Sequence, residues 1–133
     1  MIVAIDGPAG TGKSTIARMV AERLGITYVN SGSLYRALTY GLLSAGLDPS
    51  EEGPVVEWAR KARLEYRDGR VHLDGRDVEA FLRTDAVEAW VAQVSAFVPL
   101  RHIVNGVVRD LSRSMDIVVE GRDMTTAVFP DAE

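Results

Sequence analysis

A glycine-rich loop close to the amino terminus constrains the fold of this chain more than any other feature. Residues 7–14 read GPAGTGKS and match the pattern G-x-x-x-x-G-K-[ST] at every fixed position. A short apolar run at residues 2–5 precedes the loop, and apolar residues at helical spacing follow it over residues 14–24. A strand, a glycine-rich loop and a helix in this order predict a phosphate-binding loop at the start of a parallel α/β sheet.

The residues of this loop suit the binding of a nucleoside triphosphate. Glycine adopts backbone angles that are closed to other residues, so successive N–H groups can turn inward around an anion. Lys13 would place a positive charge on the β- and γ-phosphates, and the Ser14 hydroxyl would bind Mg²⁺. The predicted ATP-binding residues are Gly7, Pro8, Ala9, Gly10, Thr11, Gly12, Lys13, Ser14 and Thr15.

Beyond the loop the chain alternates between helices and strands. Strands are predicted at residues 26–29 and 116–120. Helices are predicted at about 34–45, 55–63, 77–83, 85–97 and 99–112. Because only three core strands are expected, the strand before the phosphate loop should lie at or near an edge of the sheet.

Residues 64–75 interrupt this alternation. They contain two Asp-Gly pairs between short segments of alternating polarity, which predicts a small antiparallel meander inserted into the α/β chain. The helix predicted at residues 85–97 has Ala86, Trp90, Val94 and Phe97 on one face.

Composition excludes several classes of function. The 133-residue chain has a formal net charge of −4, which argues against nucleic acid as its main partner. It contains no cysteine, so neither a disulfide framework nor a cysteine zinc site is expected. It has no run of 18 apolar residues and no basic amino-terminal segment. We therefore expect no membrane span and no signal peptide, with the cytoplasm as the default compartment.

The phosphate loop alone does not specify a reaction, because switches, motors and kinases share it. The tetrapeptides D-x-x-G and N-K-x-D, which GTPase switches need, are absent from the sequence. Large ATPases need much longer chains. A small chain with the loop at its amino terminus therefore favours a kinase of small metabolites.

Four motifs follow one another along the chain. They are IDGPAGTGKST at residues 5–15, NSGSLYR at 30–36, LRT at 82–84 with QVSAF at 93–97 leading to Leu100 and Arg101, and EGRDM at 120–124 followed by VFPDA at 128–132. In this order and at this spacing they make the chain resemble the bacterial cytidylate kinases from end to end. The second motif has Asn30 where that family usually shows the aspartate of D-S-G-x-x-Y-R.

The resemblance implies a P-loop nucleoside monophosphate kinase domain over residues 1–133, with a parallel sheet flanked by helices. Its core would comprise about residues 1–36 and 100–133, and residues 37–99 would form a CMP-binding insert that contains the meander. In this family an arginine-rich lid and the final strands follow the position of Ala132, so we expect them outside these residues. The 133 residues alone are then expected to turn over slowly, and the full-length form is expected to be a monomer.

The resemblance also implies roles for residues near the acceptor. Arg36 and Arg122 would clamp the acceptor phosphate by bidentate hydrogen bonds. Arg101 and Asp123 would recognise cytosine, whose N4 amino group donates while N3 and O2 accept, and Ser31 is a candidate for the same pocket. Without such roles, Arg36 and Arg122 would form surface ion pairs, and Asp123 or Ser31 would cap a helix.

Three departures from the family pattern affect these expectations. Ala92 stands where relatives often have a serine that touches the base, which places one cytosine contact in doubt. Thr125 replaces a usual glycine. Glu120 replaces a usual aspartate after an apolar strand, where it would hold a Mg²⁺-bound water or act indirectly.

The phosphate loop together with the resemblance implies transfer of a phosphoryl group from ATP to CMP or dCMP, with Mg²⁺ as the cofactor and no nucleic-acid or membrane partner. A kinase of UMP or AMP is a second hypothesis, which Arg101 and Asp123 disfavour. A nucleotide-binding fragment with little turnover is a third. A non-enzymatic P-loop scaffold is a fourth, which the acceptor-site motifs disfavour.

Overall fold

A computed structural model of the chain describes residues 2–6 and 13–121, without the side chains of residues 6, 13, 14 and 121. The strands in this part are β1 Ile2–Asp6, β2 Thr27–Asn30, β3 Leu64–Arg67, β4 Arg70–Leu73, β5 Arg76–Asp77 and β6 Ile117–Gly121. The helices are α1 Lys13–Leu24, α2 Ser31–Ser44, α3 Glu52–Lys61, α4 Asp85–Ser95 and α5 Val98–Ser114, with a 3₁₀ turn at Glu79–Phe81.

The chain divides into two compact units, and the first comprises Met1–Ser31 and Gly106–Glu133. Its described strands form a parallel sheet in the order β1-β6-β2. Strand β6 lies in the centre, and its residues Ile117, Val118 and Val119 are fully buried, as expected for a strand covered on both faces. Strand β1 lies at an edge of the described sheet, as predicted.

Helix α1 packs on this sheet through small residues. Ala17 and Ala21 are buried against Val118 of β6, with Val3 and Ile5 of β1 packed around them. Small side chains at positions four apart allow the helix backbone to approach the strands closely. This contact holds α1 next to the strand from which the phosphate loop departs.

Glycines end α1 and α2 in the same way. Gly25 has φ +67° and Gly46 has φ +79°, in the left-handed region that favours glycine. After α1, the Gly25 N–H donates to the Glu22 carbonyl and the Ile26 N–H to the Ala21 carbonyl. This pair of hydrogen bonds is a Schellman cap, and the corresponding pair follows α2. The helix ends predicted at residues 24 and 45 agree with the ends of α1 and α2 to within one residue.

The second unit, Gly32–Asn105, contains the predicted meander. Strands β3, β4 and β5 pair antiparallel in chain order. Both Asp-Gly turns have positive φ at both central residues, 53° and 74° at Asp68 and Gly69 and 49° and 84° at Asp74 and Gly75. These angles match the type I′ turns that Asp-Gly pairs favour in hairpins.

A charge pair joins β4 and β5. The Arg70 Nε donates to the Asp77 Oδ2 at 2.6 Å, and this hydrogen bond holds the pKa of Asp77 below its ordinary value. Any contribution of the pair to stability is therefore lost as the pH falls through that lowered pKa. Because both side chains are exposed, the contribution is small.

Helix α2 packs tightly inside the second unit at Gly41. A Cβ atom added there would lie 2.5 Å from Leu73 Cδ2 and 2.5 Å from Trp58 Cη2. Gly106 in α5 offers a matched comparison, because an added Cβ atom would meet nothing within 4 Å.

Gly41→Ala is therefore expected to destabilise the chain, since overpacking against the rigid indole costs about 1–3 kcal/mol. Gly106→Ala should instead stabilise it by up to about 1 kcal/mol, because alanine is the better helix former. Urea unfolding of both variants measures the two effects. A gain in stability for Gly41→Ala would contradict the close packing at this position.

Helices α2, α3 and α5 begin earlier than predicted. Helix α2 begins directly after β2, at Ser31, because serine and glycine are tolerated in a first turn although they are poor inside a helix. Helix α3 begins at Glu52 and includes Pro54 in its first turn, where proline needs no hydrogen-bond donor. Helix α5 begins at Val98, one residue before Pro99, for the same reason.

Within the described residues no single helix could span a membrane by length and composition, although α4 and α5 pass that test as a bent pair.

The helix predicted at residues 77–83 is wrong. Asp77 pairs with His72 in the meander, and the Val78 N–H donates to the Val71 carbonyl at 3.1 Å, so only the turn Glu79–Phe81 is helical.

Only part of the apolar face noted for residues 85–97 is buried in α4. Val87 and Val94 are buried, whereas Trp90 and Phe97 are half-buried and Ala86 is exposed. Burying valine removes more apolar surface from water than burying alanine, which explains why the helix turns Val87 inward.

Candidate functional site

The three parallel strands end at one edge of the sheet. Strand β1 ends at Asp6, β2 at Asn30 and β6 at Gly121. In the sheet register Asp6 is the partner of Gly121, and Asn30 is the partner of Glu120, so the three carboxyl ends are level. Ligands of open α/β sheets bind outside the carboxyl ends of the strands.

Three of the four motif segments begin at this same edge. Residues 7–12 follow β1, Ser31 follows β2, and residues 122–123 follow β6. The structure therefore describes the strands from which the motifs depart, but only part of the motifs. The predicted residues outside the described part are Gly7, Pro8, Ala9, Gly10, Thr11, Gly12, Arg122, Asp123 and Thr125.

Helix α1 opens with the last residues of the phosphate-loop pattern. Lys13 and Ser14 are its first two residues, and the exposed Thr15 is the third. The N–H groups of a first helical turn have no partner within the helix, and the helix dipole adds a partial positive charge there. This backbone geometry favours an anion next to the loop.

A buried carboxylate lies at the carboxyl end of the central strand. Glu120 is 2% exposed. The Tyr28 hydroxyl donates to its Oε1 at 2.7 Å, and the Asn30 Nδ2 donates to the same Oε1 at 2.7 Å. Asn30 Nδ2 also lies 3.2 Å from the Tyr28 hydroxyl oxygen. The two donors offset the cost of removing this carboxylate from water.

Glu120 suits a magnesium ion that is held mainly by a nucleotide. Among the described residues no group of three or more histidine, cysteine, aspartate or glutamate side chains could hold a metal. Mg²⁺ in phosphotransfer sites uses one or two carboxylates together with waters and phosphate oxygens of the substrate. A single carboxylate at the carboxyl end of the central described strand fits this donor set.

Arg36 lies on α2 and is anchored from one side. Its Nη1 donates to the Leu82 carbonyl at 3.3 Å and forms an ion pair with the Glu88 carboxylate. Within the part of the chain that the structure describes, both of these contacts use Nη1. Arg36 thus forms an ion pair, and neither of these two contacts uses Nη2 or Nε.

The remaining residues that the sequence analysis discussed for the cytosine pocket, Ser31, Arg101 and Ala92, differ in their exposure to solvent. Ser31, at the start of α2, is 4% exposed. Arg101, on α5, is half-buried in the second unit. Ala92, on α4, is exposed, and the nearby Ser95 hydroxyl donates to the Ala92 carbonyl at 3.0 Å. Ser95 therefore uses its hydroxyl within its own helix.

The comparison with known proteins agrees with the motifs. A family model described as cytidylate kinase matches residues 3–133. This chain belongs to the cytidylate kinase family.

Relatives from this family align with almost the whole chain. Cytidylate kinase of Clostridioides difficile (strain 630) is 36% identical over 100% of this chain and 62% of its own length. Cytidylate kinase of Rhodopirellula baltica is 40% identical over 99% of this chain and 58% of its own length. Cytidylate kinase of Symbiobacterium thermophilum is 42% identical over 100% of this chain and 61% of its own length. The chain thus spans about three fifths of the length of these relatives.

Membership of the cytidylate kinase family confirms the predicted P-loop α/β class, with a parallel sheet, flanking helices and a small antiparallel sheet. Sequence reasoning missed the partners of the charged residues, namely Tyr28 and Asn30 for Glu120, and Leu82 and Glu88 for Arg36. Alternation along β2 places Tyr28 and Asn30 on one face, but nothing local shows that β6 is the neighbouring strand.

Proposed function

We propose that this chain provides the nucleotide sites of a cytoplasmic kinase that transfers the γ-phosphoryl group of ATP to CMP or dCMP. The sheet order β1-β6-β2 is the observation that carries this proposal. The strands before the phosphate loop, before Ser31 and before Arg122 all end at a single edge. Donor and acceptor can then be bound by segments that leave neighbouring strands.

On the donor side, residues 7–15 would hold the phosphates of ATP. Lys13 would contact the β- and γ-phosphates, and the first-turn N–H groups of α1 would add hydrogen bonds. The Ser14 hydroxyl and Glu120, the latter through a water, would hold Mg²⁺. When bound, this ion supplies positive charge that balances the charge of the triphosphate.

On the acceptor side, Arg36 and Arg122 would orient the phosphate of CMP in line with the γ-phosphate. An oxygen of the CMP phosphate attacks the γ-phosphorus, the bond to the β,γ-bridging oxygen breaks, and ADP leaves. No protein side chain needs to act as the nucleophile, because the reaction depends on positioning and charge balance.

The base would be recognised by Ser31, Arg101 and Asp123. A carboxylate accepts from the cytosine N4 amino group, whereas the carbonyl that uracil presents there would leave that carboxylate unpaired. Ala92 cannot supply a hydroxyl to this pocket. We further propose that residues 1–36 and 100–133 form the core of a monomeric kinase and residues 37–99 its CMP-binding insert, and the compact unit Gly32–Asn105 supports that division.

A substrate panel tests the proposal. The chain is incubated with ATP, Mg²⁺ and CMP, dCMP, UMP or AMP, and the products are identified by ³¹P NMR. Formation of CDP and dCDP is expected. Preferential formation of UDP or ADP from the added monophosphate would favour a uridylate or adenylate kinase. ATP binding without any transferred phosphate would favour a nucleotide-binding fragment.

Arg36→Ala is expected to raise the KM for CMP by roughly 10- to 150-fold, since a hydrogen bond to a charged group is worth about 1.5–3 kcal/mol. The KM for ATP should change little, because Arg36 is assigned to the acceptor. Steady-state kinetics with each substrate varied in turn measures both values.

Arg113→Ala is the matched control for this prediction. Arg113 also forms an ion pair on a helix, with Asp110, but its side chain is 77% exposed and has no assigned role. Arg113→Ala should leave the KM values for CMP and for ATP unchanged. An unchanged KM for CMP in Arg36→Ala would remove Arg36 from the acceptor site and leave it with the ion pair to Glu88.

A further inference from the structure

We infer that Tyr28 and Asn30 are positioning residues of the donor site, which keep the Glu120 carboxylate in the orientation that holds, through a water, the cation accompanying the triphosphate. The inference rests on the proposed function and adds two residues to it. Neither belongs to the phosphate loop, and neither was assigned to a site from the sequence.

The hydrogen bonds form a closed triangle. Tyr28 and Asn30 both donate to Glu120 Oε1, at 2.7 Å each, and they contact one another at 3.2 Å. Each polar group in the triangle is therefore held by the other two. Because both donors converge on one carboxylate oxygen, rotation of the carboxylate would break both hydrogen bonds at once.

Burial restricts the carboxylate to this orientation. Glu120 is 2% exposed, and the preceding residues of β6 are fully buried. Fixing a long side chain costs conformational entropy. Here the Glu120 side chain is already ordered by the fold before any nucleotide binds. A preorganised ligand group binds more tightly than one that must be ordered on binding.

The place of the triangle in the sheet connects it with the donor. Glu120 pairs in register with Ile5 on one side and with Asn30 on the other. The next residue pair, Asp6 and Gly121, ends both strands, and the phosphate loop follows Asp6. In the register of the sheet, the pair Asp6 and Gly121 is therefore the only residue pair between Glu120 and the start of the loop.

Arg18 of helix α1 contacts Tyr28, one of the three members of the triangle. The guanidinium carbon of Arg18 lies 5.4 Å from the centroid of the Tyr28 ring, which is a cation–π distance. Arg18 belongs to the helix that Lys13 and Ser14 begin. Tyr28 thus contacts both the helix that follows the phosphate loop and the carboxylate at the end of the central strand.

Tyr28→Phe tests this inference because it removes one oxygen atom and keeps the ring over which Arg18 lies. ATP affinity is measured by calorimetry with Mg²⁺ and again with EDTA, in the absence of an acceptor. The Mg²⁺-dependent gain in ATP affinity is expected to fall by about tenfold, as for the loss of a group that orients a metal ligand. Affinity in EDTA should stay unchanged.

Three further tests separate positioning from general stability. Asn30→Leu removes the second donor at similar size and is expected to reduce the same Mg²⁺-dependent gain. In a Glu120→Gln background, Tyr28→Phe should have no additional effect, because Tyr28 acts through the carboxylate. Tyr66→Phe, in the meander, removes a tyrosine hydroxyl far along the chain and should leave the gain unchanged. Urea unfolding verifies that each variant is folded.

The outcomes distinguish this inference from the proposed function. Equal losses of ATP affinity with Mg²⁺ and with EDTA, in Tyr28→Phe and Asn30→Leu, would overturn it by showing a merely structural role. An unchanged Mg²⁺ dependence in both folded variants would also overturn it. A chain that shows the expected Tyr28 dependence but transfers no phosphate to CMP would support the inference and contradict the proposed function.

Discussion

Lys13→Ala is expected to slow phosphoryl transfer from ATP by about 10²- to 10³-fold, because removal of one preorganised contact to developing charge costs about 2.7–4 kcal/mol. The loss should appear mainly in kcat, because the lysine stabilises the charge that develops on the γ-phosphate during transfer. Binding of the nucleoside monophosphate should change little. Single-turnover transfer from radiolabelled ATP measures the effect without interference from product release.

The chain contains a natural control for this experiment. Lys61 is its only other lysine, and it lies at the end of α3 with a 79% exposed side chain paired to Glu57. Lys61→Ala removes the same charge from the chain and should leave transfer unchanged. Near-normal transfer by Lys13→Ala would exclude the phosphate loop from the mechanism and leave the GKS pattern without a catalytic role.

CMP and dCMP are expected to exceed UMP as acceptors by several orders of magnitude in kcat/KM, because a site built to hydrogen-bond one donor pattern rejects the other by about 10⁴–10⁵-fold. Asp123→Asn should erode this preference by roughly 10- to 150-fold, the value of one hydrogen bond to a charged group. The neutral amide can turn its own donor toward the uracil carbonyl, so the loss for CMP should accompany a gain for UMP.

Asp110→Asn is the control for the loss of one carboxylate, since the Asp110 side chain is 72% exposed on α5, where it pairs with Arg113. The kcat/KM values for CMP, dCMP, UMP and AMP are compared across the three proteins. Equal values for all four acceptors in the unsubstituted chain would contradict a cytosine pocket while leaving a general monophosphate kinase intact.

Several elements were predictable because the residues that determine them are adjacent. Asp68 and Gly69 take positive φ angles that few residue pairs adopt, so their sequence alone indicates a hairpin turn. Gly25 ends α1 by the same local rule. The helix expected at residues 77–83 failed because Val78 hydrogen-bonds to Val71 in β4, a partner that helical periodicity does not consider.

The candidate site was predictable only in part. The phosphate loop is one continuous segment, so Lys13 and Ser14 could be assigned from their spacing to the glycines. Arg36 was named from a motif, but its anchors at Leu82 and Glu88 lie 46 and 52 residues further along the chain. The anchoring of the guanidinium through Nη1 is therefore a property of the folded second unit.

The sequence by itself determined the phosphate-loop pattern, most of the order of helices and strands, the Asp-Gly turns and the family. Only the tertiary structure decided that β6 lies between β1 and β2, and that Glu120 meets Tyr28 and Asn30 across 92 and 90 residues of chain. Turns and caps depend on backbone angles and hydrogen bonds within a few residues, which neighbouring side chains dictate. Strand order depends on which apolar faces are buried together, and Glu120 meets Tyr28 and Asn30 because that order makes β2 the neighbour of β6.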